Sequence, residues 1–323
     1  MDRKEFLGAM LALGGVAMHS SAASAVLAEL DELEKLSRKA KGRIDQSKCI
    51  IMADIHICGE FDAEGKPKYY ANNPISFNQQ VREILSMRQL PANLIILGDV
   101  AYDYGHEADY RYVRELFRPL ENAGIKITVA MGNHDRRHTF FNAFPEYAEQ
   151  TKVEGRVVSV VELPGVDFIV LDTLNQLPDN SSKVAGTIDQ AQLEWLEEYL
   201  SKSNRPAILS GHHPMTELSG FEQFVIKHSQ SVVAYIYGHV HIWNKGVRII
   251  RPIVPQRMLP TIAIPSTFYG DIGYAVMECD KEGATINYSS SGFWWPQPVE
   301  NPPKEWLQRV EDLKSERCRV LFK

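Results

Sequence analysis

The sequence lacks an excess of positive charge, a CxxC pair, internal repeats and low-complexity tracts. Each absence closes a class. Lys and Arg number 35 against 41 Asp and Glu, a net charge of -6. That balance argues against nonspecific nucleic-acid binding, which usually needs a basic face, and no nucleic-acid partner is expected. An anionic substrate would have to be drawn by a local positive centre, not by the whole surface. The four cysteines, Cys49, Cys58, Cys279 and Cys318, have a spacing that identifies no disulfide partners and leaves three connectivities open. The apolar stretch from Phe6 to Met18 is too short to span a bilayer comfortably, and no transmembrane anchor is expected in the mature chain. What is present, 44% hydrophobic and 24% charged residues over 323 positions, suits a soluble globular protein with a large core.

Residues 1–25 read as an export signal. Arg3 and Lys4 precede the apolar stretch, and Ala23-Ser24-Ala25 fits a small-residue cleavage pattern. The expected destination is the periplasm. Asp2-Arg3-Lys4-Glu5-Phe6-Leu7 resembles a twin-arginine signal with Lys in the second basic position, so that route and the general one both stay open. Residues 26–47 read as a charged helical linker or a surface helix after the signal, 48–292 as the main domain, and 293–323 as a C-terminal extension with a helix from Lys304 to about Ser315. Oligomeric state is not legible.

Within the main domain, Cys49 to Ala53, Leu94 to Leu97 and Ile125 to Met131 are short apolar runs of buried-strand type. Ile75 to Arg88 and Glu107 to Asn122 between them have helical spacing, the second closed by Gly124. Strand, helix, strand, helix, strand predicts a parallel sheet and an α/β fold. Val157 to Leu163 and Phe168 to Leu171 predict a hairpin around Pro164-Gly165. A helix is predicted over Asp189 to Lys202 with Asp189 as its cap. Ala207 to Leu209 and Val232 to Tyr237 are two more strand-like runs, and strands dominate from Gly246 to Ser291.

Five short motifs carry the chemistry: Asp54-Ile55-His56, Gly98-Asp99, Gly132-Asn133-His134-Asp135, Gly211-His212-His213 and Gly238-His239-Val240-His241. Most directly follow an apolar run. Ligands of open α/β sheets bind beyond the carboxyl ends of the strands, so folding would gather carboxylates, an amide oxygen and imidazoles around one point. That donor set suits a pair of first-row ions, and an ion pair suits chemistry on a phosphate ester.

The ordered set D-x-H, GD, GNHD, His, GHxH resembles the calcineurin-like metallophosphoesterase superfamily, over roughly residues 48 to 290. The resemblance implies two packed mixed β-sheets flanked by helices, a four-layer αββα sandwich. It implies one ion on Asp54, His56, Asp99 and His241, and another on Asp99, Asn133, His212 and His239, with Asp99 and a hydroxide bridging. Two divalent ions (Mn, Fe or Zn) keep a net positive charge after those carboxylates and the hydroxide, able to hold a phosphate oxygen. His134 is the superfamily's non-ligand histidine, expected to contact the phosphate or protonate the leaving oxygen, with Asp135 orienting it. His213 is read either as packing or as a residue supporting the ligands. Tyr102 is a ligand candidate by its spacing after Gly98-Asp99, although His56 already fills the slot that tyrosine-ligating relatives leave open. Cys58 is near enough in sequence to approach the ions, and packing is its simpler reading.

The wording from Gly98 to Asp135, with Leu171-Asp172-Thr173 and Gln190 to Leu196, looks like the class III cyclic-nucleotide phosphodiesterase and glycerophosphodiesterase group. The expected activity is hydrolysis of a small phosphodiester by the bridging hydroxide. A phosphomonoesterase, a nuclease and a noncatalytic metal-binding protein are the alternatives. Tyr69, Tyr70, Trp243, Phe268 and Tyr269 are candidates to shape specificity, with core packing as the competing reading for each.

Overall fold

The computed structural model describes residues 21–59, 73–249, 258–294 and 301–323. Strand β1 (Ile44–Met52) shows why the chain builds layers. Successive side chains point to opposite faces of a strand. Ile50 and Met52 face one core, with Leu94 and Ile96 of β2 (Leu90–Leu97). Cys49 and Ile51 face another, with Ile95 and Leu97. A strand apolar on both faces must be covered on both.

The remaining strands are β3 (Lys126–Ala130), β4 (Ser159–Leu163), β5 (Val166–Val170), β6 (Ala207–Gly211), β7 (Val232–Tyr237), β8 (Asn244–Ile249), β9 (Met258–Ala263), β10 (Gly270–Cys279), β11 (Gly283–Trp294) and β12 (Arg317–Leu321). They form two six-stranded sheets, β12-β11-β10-β1-β2-β3 and β4-β5-β6-β7-β9-β8. In the first, β1, β2 and β3 are parallel and β10 runs antiparallel to β1. In the second, β5, β6, β7 and β9 are parallel, with β4 and β8 as antiparallel edges. The expected hairpin forms, with Leu163 paired to Val166 across the two-residue turn.

The helices are α1 (Ser21–Ala40), α2 (Asn73–Leu85), α3 (Glu107–Ala123), α4 (Arg137–Ala143), α5 (Pro145–Gln150), α6 (Gln190–Lys202), α7 (Phe221–Lys227) and α8 (Lys304–Leu313). Side chains of α1, α2 and α3 cover the outer face of the first sheet. Those of α6 and α7 cover the outer face of the second. The inner faces meet through Ile51, Leu97 and Met277 from one sheet and Phe168, Ile208 and Ile236 from the other. Each such burial contributes about 1.5–3 kcal/mol, and together they hold the carboxyl ends of both sheets side by side. This is the expected αββα sandwich.

Two expectations are corrected. Of the two readings of the charged segment after residue 25, linker or surface helix, the structure shows a helix and not a linker: Leu30, Leu33 and Ala40 are fully buried on one stripe of α1 and join the α3 core. The C-terminal segment is no appendage either. Strand β12 pairs with β11, and Leu313, Val320 and Phe322 lie in the core between the sheets. No disulfide joins the four cysteines. No helix among the described residues is long and apolar enough to cross a membrane. Residues 1–20, with most of the expected signal, and residues 60–72, with Tyr69 and Tyr70, lie outside the described residues.

Candidate metal centre

The motif residues sit just past β1, β2, β3, β6 and β7, where those strands end on the same edge of the sandwich. The chain reverses sharply there. Asp54, His56, Asp99, His239 and His241 all have φ between 43 and 68°, and Asn180 is the one other non-glycine with positive φ among the described residues. A left-handed backbone costs such residues about 1–3 kcal/mol each. Its concentration on five of the seven expected ligands turns their side chains inward. Two motif glycines are explained by crowding. A Cβ on Gly98 would stand 2.6 Å from His212 Nδ1, and one on Gly132 2.2 Å from Asp99 Oδ1.

The side chains converge as two groups. Ligand atoms of Asp54, His56, Asp99 and His241 lie within 4.8 Å of one another. His241 Nε2 is 3.1 Å from Asp54 Oδ1, and His56 Nε2 is 3.7 Å from Asp99 Oδ2. In the second group, His212 Nε2 is 3.2 Å from Asp99 Oδ2, 3.2 Å from Asn133 Oδ1 and 3.2 Å from His239 Nδ1. Asp99 Oδ2 therefore faces both groups, as a bridging carboxylate must. Backbone carbonyls set two rings: Tyr102 accepts from His56 Nδ1 at 2.9 Å and Leu97 from His212 Nδ1 at 2.8 Å, leaving Nε2 inward on each.

The residues fit two divalent ions. Asp54 and Asp99 are buried, and among the described residues no Lys or Arg pairs with either; their close partners are imidazoles. Buried charges are paired or coordinate metals. Burial works against protonating His212, yet Asp99 and Asp54 outweigh it and hold its pKa up at about 10. Burial takes His56 and His239 down to about 4, so these two are ready to bind as neutral imidazoles, whereas His212 would have to give up a proton to an arriving ion.

His134 stands at the rim, its ring 5.0 Å from that of His56. Its partner is not Asp135, which corrects the expected role of that residue. His134 Nδ1 lies 2.9 Å from Asp103 Oδ1 and 3.1 Å from the Asp103 carbonyl. Asp135 points the other way. Its carboxylate accepts from the backbone N–H of Val100, Ala101 and Gly132 and from the Tyr110 hydroxyl. It is thus a brace between the loops after β2 and β3. Burial, and then Asp99, push its pKa up to about 6.

The sequence reading missed Asp103, although a carboxylate four residues after Asp99 was visible. Leu171-Asp172-Thr173, which carries part of the family resemblance, supports the ligands indirectly. Thr173 Oγ1 accepts from the backbone N–H of His212 and of His213 and lies 2.8 Å from His213 Nδ1. Asp172 holds Arg137 through two 2.7 Å contacts, and Gln192 bonds both the N–H and the C=O of Asp172. These residues tie the loop after β3 to the ends of β5 and β6. His213 is buried beside His212 and His239, with ring centroids 4.8 and 4.9 Å away.

Of the other candidates, Tyr102 offers its carbonyl to His56 and sets its ring edge-on to Phe268. Phe268 and Tyr269 lie against His56 and His241 at 5.0 and 4.0 Å. Trp243 is in the core between the sheets, tilted on Tyr288. Cys58 is buried and belongs to neither ligand group.

The loop that ends in His241 is held from the C-terminal side. Asp271 N–H donates to the His241 carbonyl, and its carboxylate accepts from Trp243 N–H at 2.8 Å. Arg309 of α8 closes this arrangement, reaching Asp271 Oδ2 and the Trp243 carbonyl, each at 2.8 Å.

The chain is similar to known proteins. A protein named "probable cyclic nucleotide phosphodiesterase" from Rhodopseudomonas palustris is 29% identical over 169 residues, covering 52% of this chain and 57% of that one. Another of that name from Synechococcus is 28% identical, covering 47% and 58%. The chain thus spans less than two thirds of the length of these curated relatives. In fold it is similar to a dimetal phosphatase from Danio rerio, with a TM-score of 0.57 and 15% identity over 85% of this chain and 99% of that one. The structure of PhoD gives 0.52 and 13% over 78% and 67%. The profile of the family described as calcineurin-like phosphoesterase matches residues 47–243. That span begins before Asp54 and runs past His241, so it takes in every motif of the site together with the strands that present them: the chain belongs to the calcineurin-like phosphoesterase family.

Proposed function

We propose that this chain hydrolyses a phosphodiester at two divalent ions, one held by Asp54, His56, Asp99 and His241 and one by Asp99, Asn133, His212 and His239. The observation that carries the diester reading is a cavity of about 400 Å³ beside His134 and Asn133, walled by Asp103, Tyr104, Arg136, Asp179, Ser182 and Val184. Its volume is in the range of small-molecule sites, and it leaves room for an ester arm that a monoester of a small alcohol would not fill. The relatives named as phosphodiesterases point the same way.

When bound, the ions would supply a nucleophile from water near neutral pH and neutralise charge on the phosphate. The chain's own residues do the rest. Asp103 holds His134 Nδ1, which leaves the other ring nitrogen to protonate the departing oxygen. Asp135 keeps the loops bearing Asp99 and His134 in register. Mn, Fe and Zn all suit the nitrogen and oxygen donors. The test is an assay of Mn(II)-, Zn(II)- and iron-loaded protein on a bis-aryl phosphodiester, an aryl phosphomonoester and cyclic nucleotides. Diester turnover above monoester turnover is expected; monoester rates far above diester rates would overturn the reading.

We also propose export. Its support is the basic, apolar, small-residue order of residues 3–25. The fully buried apolar positions of α1, Leu30, Leu33 and Ala40, lie beyond that segment. N-terminal sequencing of the protein from fractionated cells tests this, and an intact Met1 in the cytoplasmic fraction alone would sink it.

A further inference from the structure

We propose that Glu217 is the positioning partner of His239, holding that imidazole in the tautomer that turns Nδ1 toward the metal centre. This rests on the two-ion reading above and adds a residue to it.

His239 differs from His56 and His212. Those rings have Nδ1 tied to backbone carbonyls and Nε2 inward. In His239 it is Nδ1 that faces the centre, 3.2 Å from His212 Nε2. A neutral imidazole that offers Nδ1 as a lone pair must carry its proton on Nε2. Something outside the centre has to accept that proton, because an outer hydrogen bond fixes both the ring and its tautomer. The group on that side is Glu217, whose Oε2 lies 3.7 Å from His239 Nε2. Glu217 Oε2 is buried and has no hydrogen-bond partner in the protein. A buried carboxylate oxygen left unsatisfied is costly, and an N–H brought a few tenths of an ångström closer would satisfy it.

The local fold explains how Glu217 comes to be there. After His212-His213, Pro214 opens a single 3₁₀ turn, Met215–Glu217, closed by Glu217 N–H to the Pro214 carbonyl at 2.9 Å. The turn carries the chain back from β6 toward the loop after β7. One connection thus supplies a ligand, His212, and the carboxylate that orients its neighbour. A carboxylate partner also makes an imidazole a stronger donor than a carbonyl partner does, which suits a ligand on the more open side of the site.

The test titrates metal-stripped full-length protein with Co(II), following heat and visible absorbance, in wild type, Glu217→Gln and Glu217→Ala. Wild type should bind two ions. Glu217→Ala should weaken one step by about 10–100-fold and leave the other unchanged. Glu217→Gln, whose amide oxygen still accepts from Nε2, should recover most of that loss. Imidazole ¹⁵N spectra of the loaded protein, with His239 assigned by a His239→Gln variant, should show a protonated Nε2 in wild type and lose that single state in Glu217→Ala. Equal affinity for both ions in Glu217→Ala, with an unchanged His239 signal, overturns the proposal. Complete loss of one ion in both variants also overturns it, by making Glu217 a direct ligand. Failure of wild type to bind two ions would instead bring down the two-ion reading itself.

Discussion

The two sheets contribute unequally to the centre. The first supplies both carboxylates, the amide and one imidazole: Asp54, Asp99, Asn133 and His56. The second supplies imidazoles alone: His212, His239 and His241. All the negative charge of the ligand set therefore sits on one sheet, and the neutral donors that complete it arrive from the other. Neither sheet alone could neutralise and enclose a cation pair, so the centre exists only where the inner faces pack. The two halves are also braced differently. Asp135 locks the first-sheet loops from within their own motif. The loop bearing His241 is locked by Asp271 and Arg309, both beyond the span that the family profile covers.

The largest effect should come from the shared carboxylate. Asp99→Asn should lower kcat/KM by about 1000-fold, roughly 4 kcal/mol, and reduce bound metal to one ion or none. His241→Ala on the other sheet should weaken one ion and leave the other. Metal analysis of both variants would break the comparison if they lost metal equally.

Next comes His134→Ala, with an expected loss of about 100-fold or more in kcat at unchanged metal content. Asp103→Asn should give a smaller loss in the same direction. An Asp103→Asn protein with wild-type kcat across the pH range would remove Asp103 from the reaction.

Arg309→Met should lower stability by roughly 2 kcal/mol in urea unfolding. It leaves the buried Asp271 carboxylate without its cation, discounted because Arg309 is partly exposed. Adding Asp271→Asn should restore part of that loss. If Arg309→Met leaves metal affinity as well as stability untouched, the brace on the second-sheet loop has no energetic content.

The smallest expected effect lies far from the ions. Asp189 caps α6, accepting from Gln192 N–H at 3.0 Å and pairing with Arg156. Asp189→Ala should cost about 1 kcal/mol with no change in metal content. Burial opposes ionisation of Asp189, but the Gln192 N–H and Arg156 more than offset it and hold its pKa below the usual value. Its stabilisation is therefore complete above the unfolded pKa and fades as pH falls through the lower folded one. Urea unfolding of both proteins from pH 7 downward should show the difference shrinking in acid.

Much of this was legible in the sequence because each ligand lies within four residues of the end of a strand. Apolar runs at 49–53, 94–97, 207–209 and 232–237 locate both the sheets and the residues at their tips. Gly98 and Gly132 are part of the same signal, since each makes room for a ligand from another loop. Charge hid the role of α1. Asp31, Glu32, Lys35, Arg38 and Lys39 dominate its composition, while the stripe of Leu30, Leu33 and Ala40 that packs is narrow. The contacts of Asp103, Thr173 and Glu217 were not legible for a different reason. Each acts on a histidine 22 to 40 residues away in the chain, and that is a matter of loop geometry, which no periodicity records. Asp135 was misassigned because adjacency to His134 suggested a partnership, whereas neighbouring side chains on a tight turn point apart.

The Arg309 brace also bears on the order in which the protein is made. Synthesis runs from the amino end, so all seven ligand residues are made before β10, β11, β12 and α8. For that interval a chain can present every donor atom while the loop of His239 and His241 is unsecured. Arrival of Arg309 ends that interval: one of the last-made parts of the chain secures a loop made well before it.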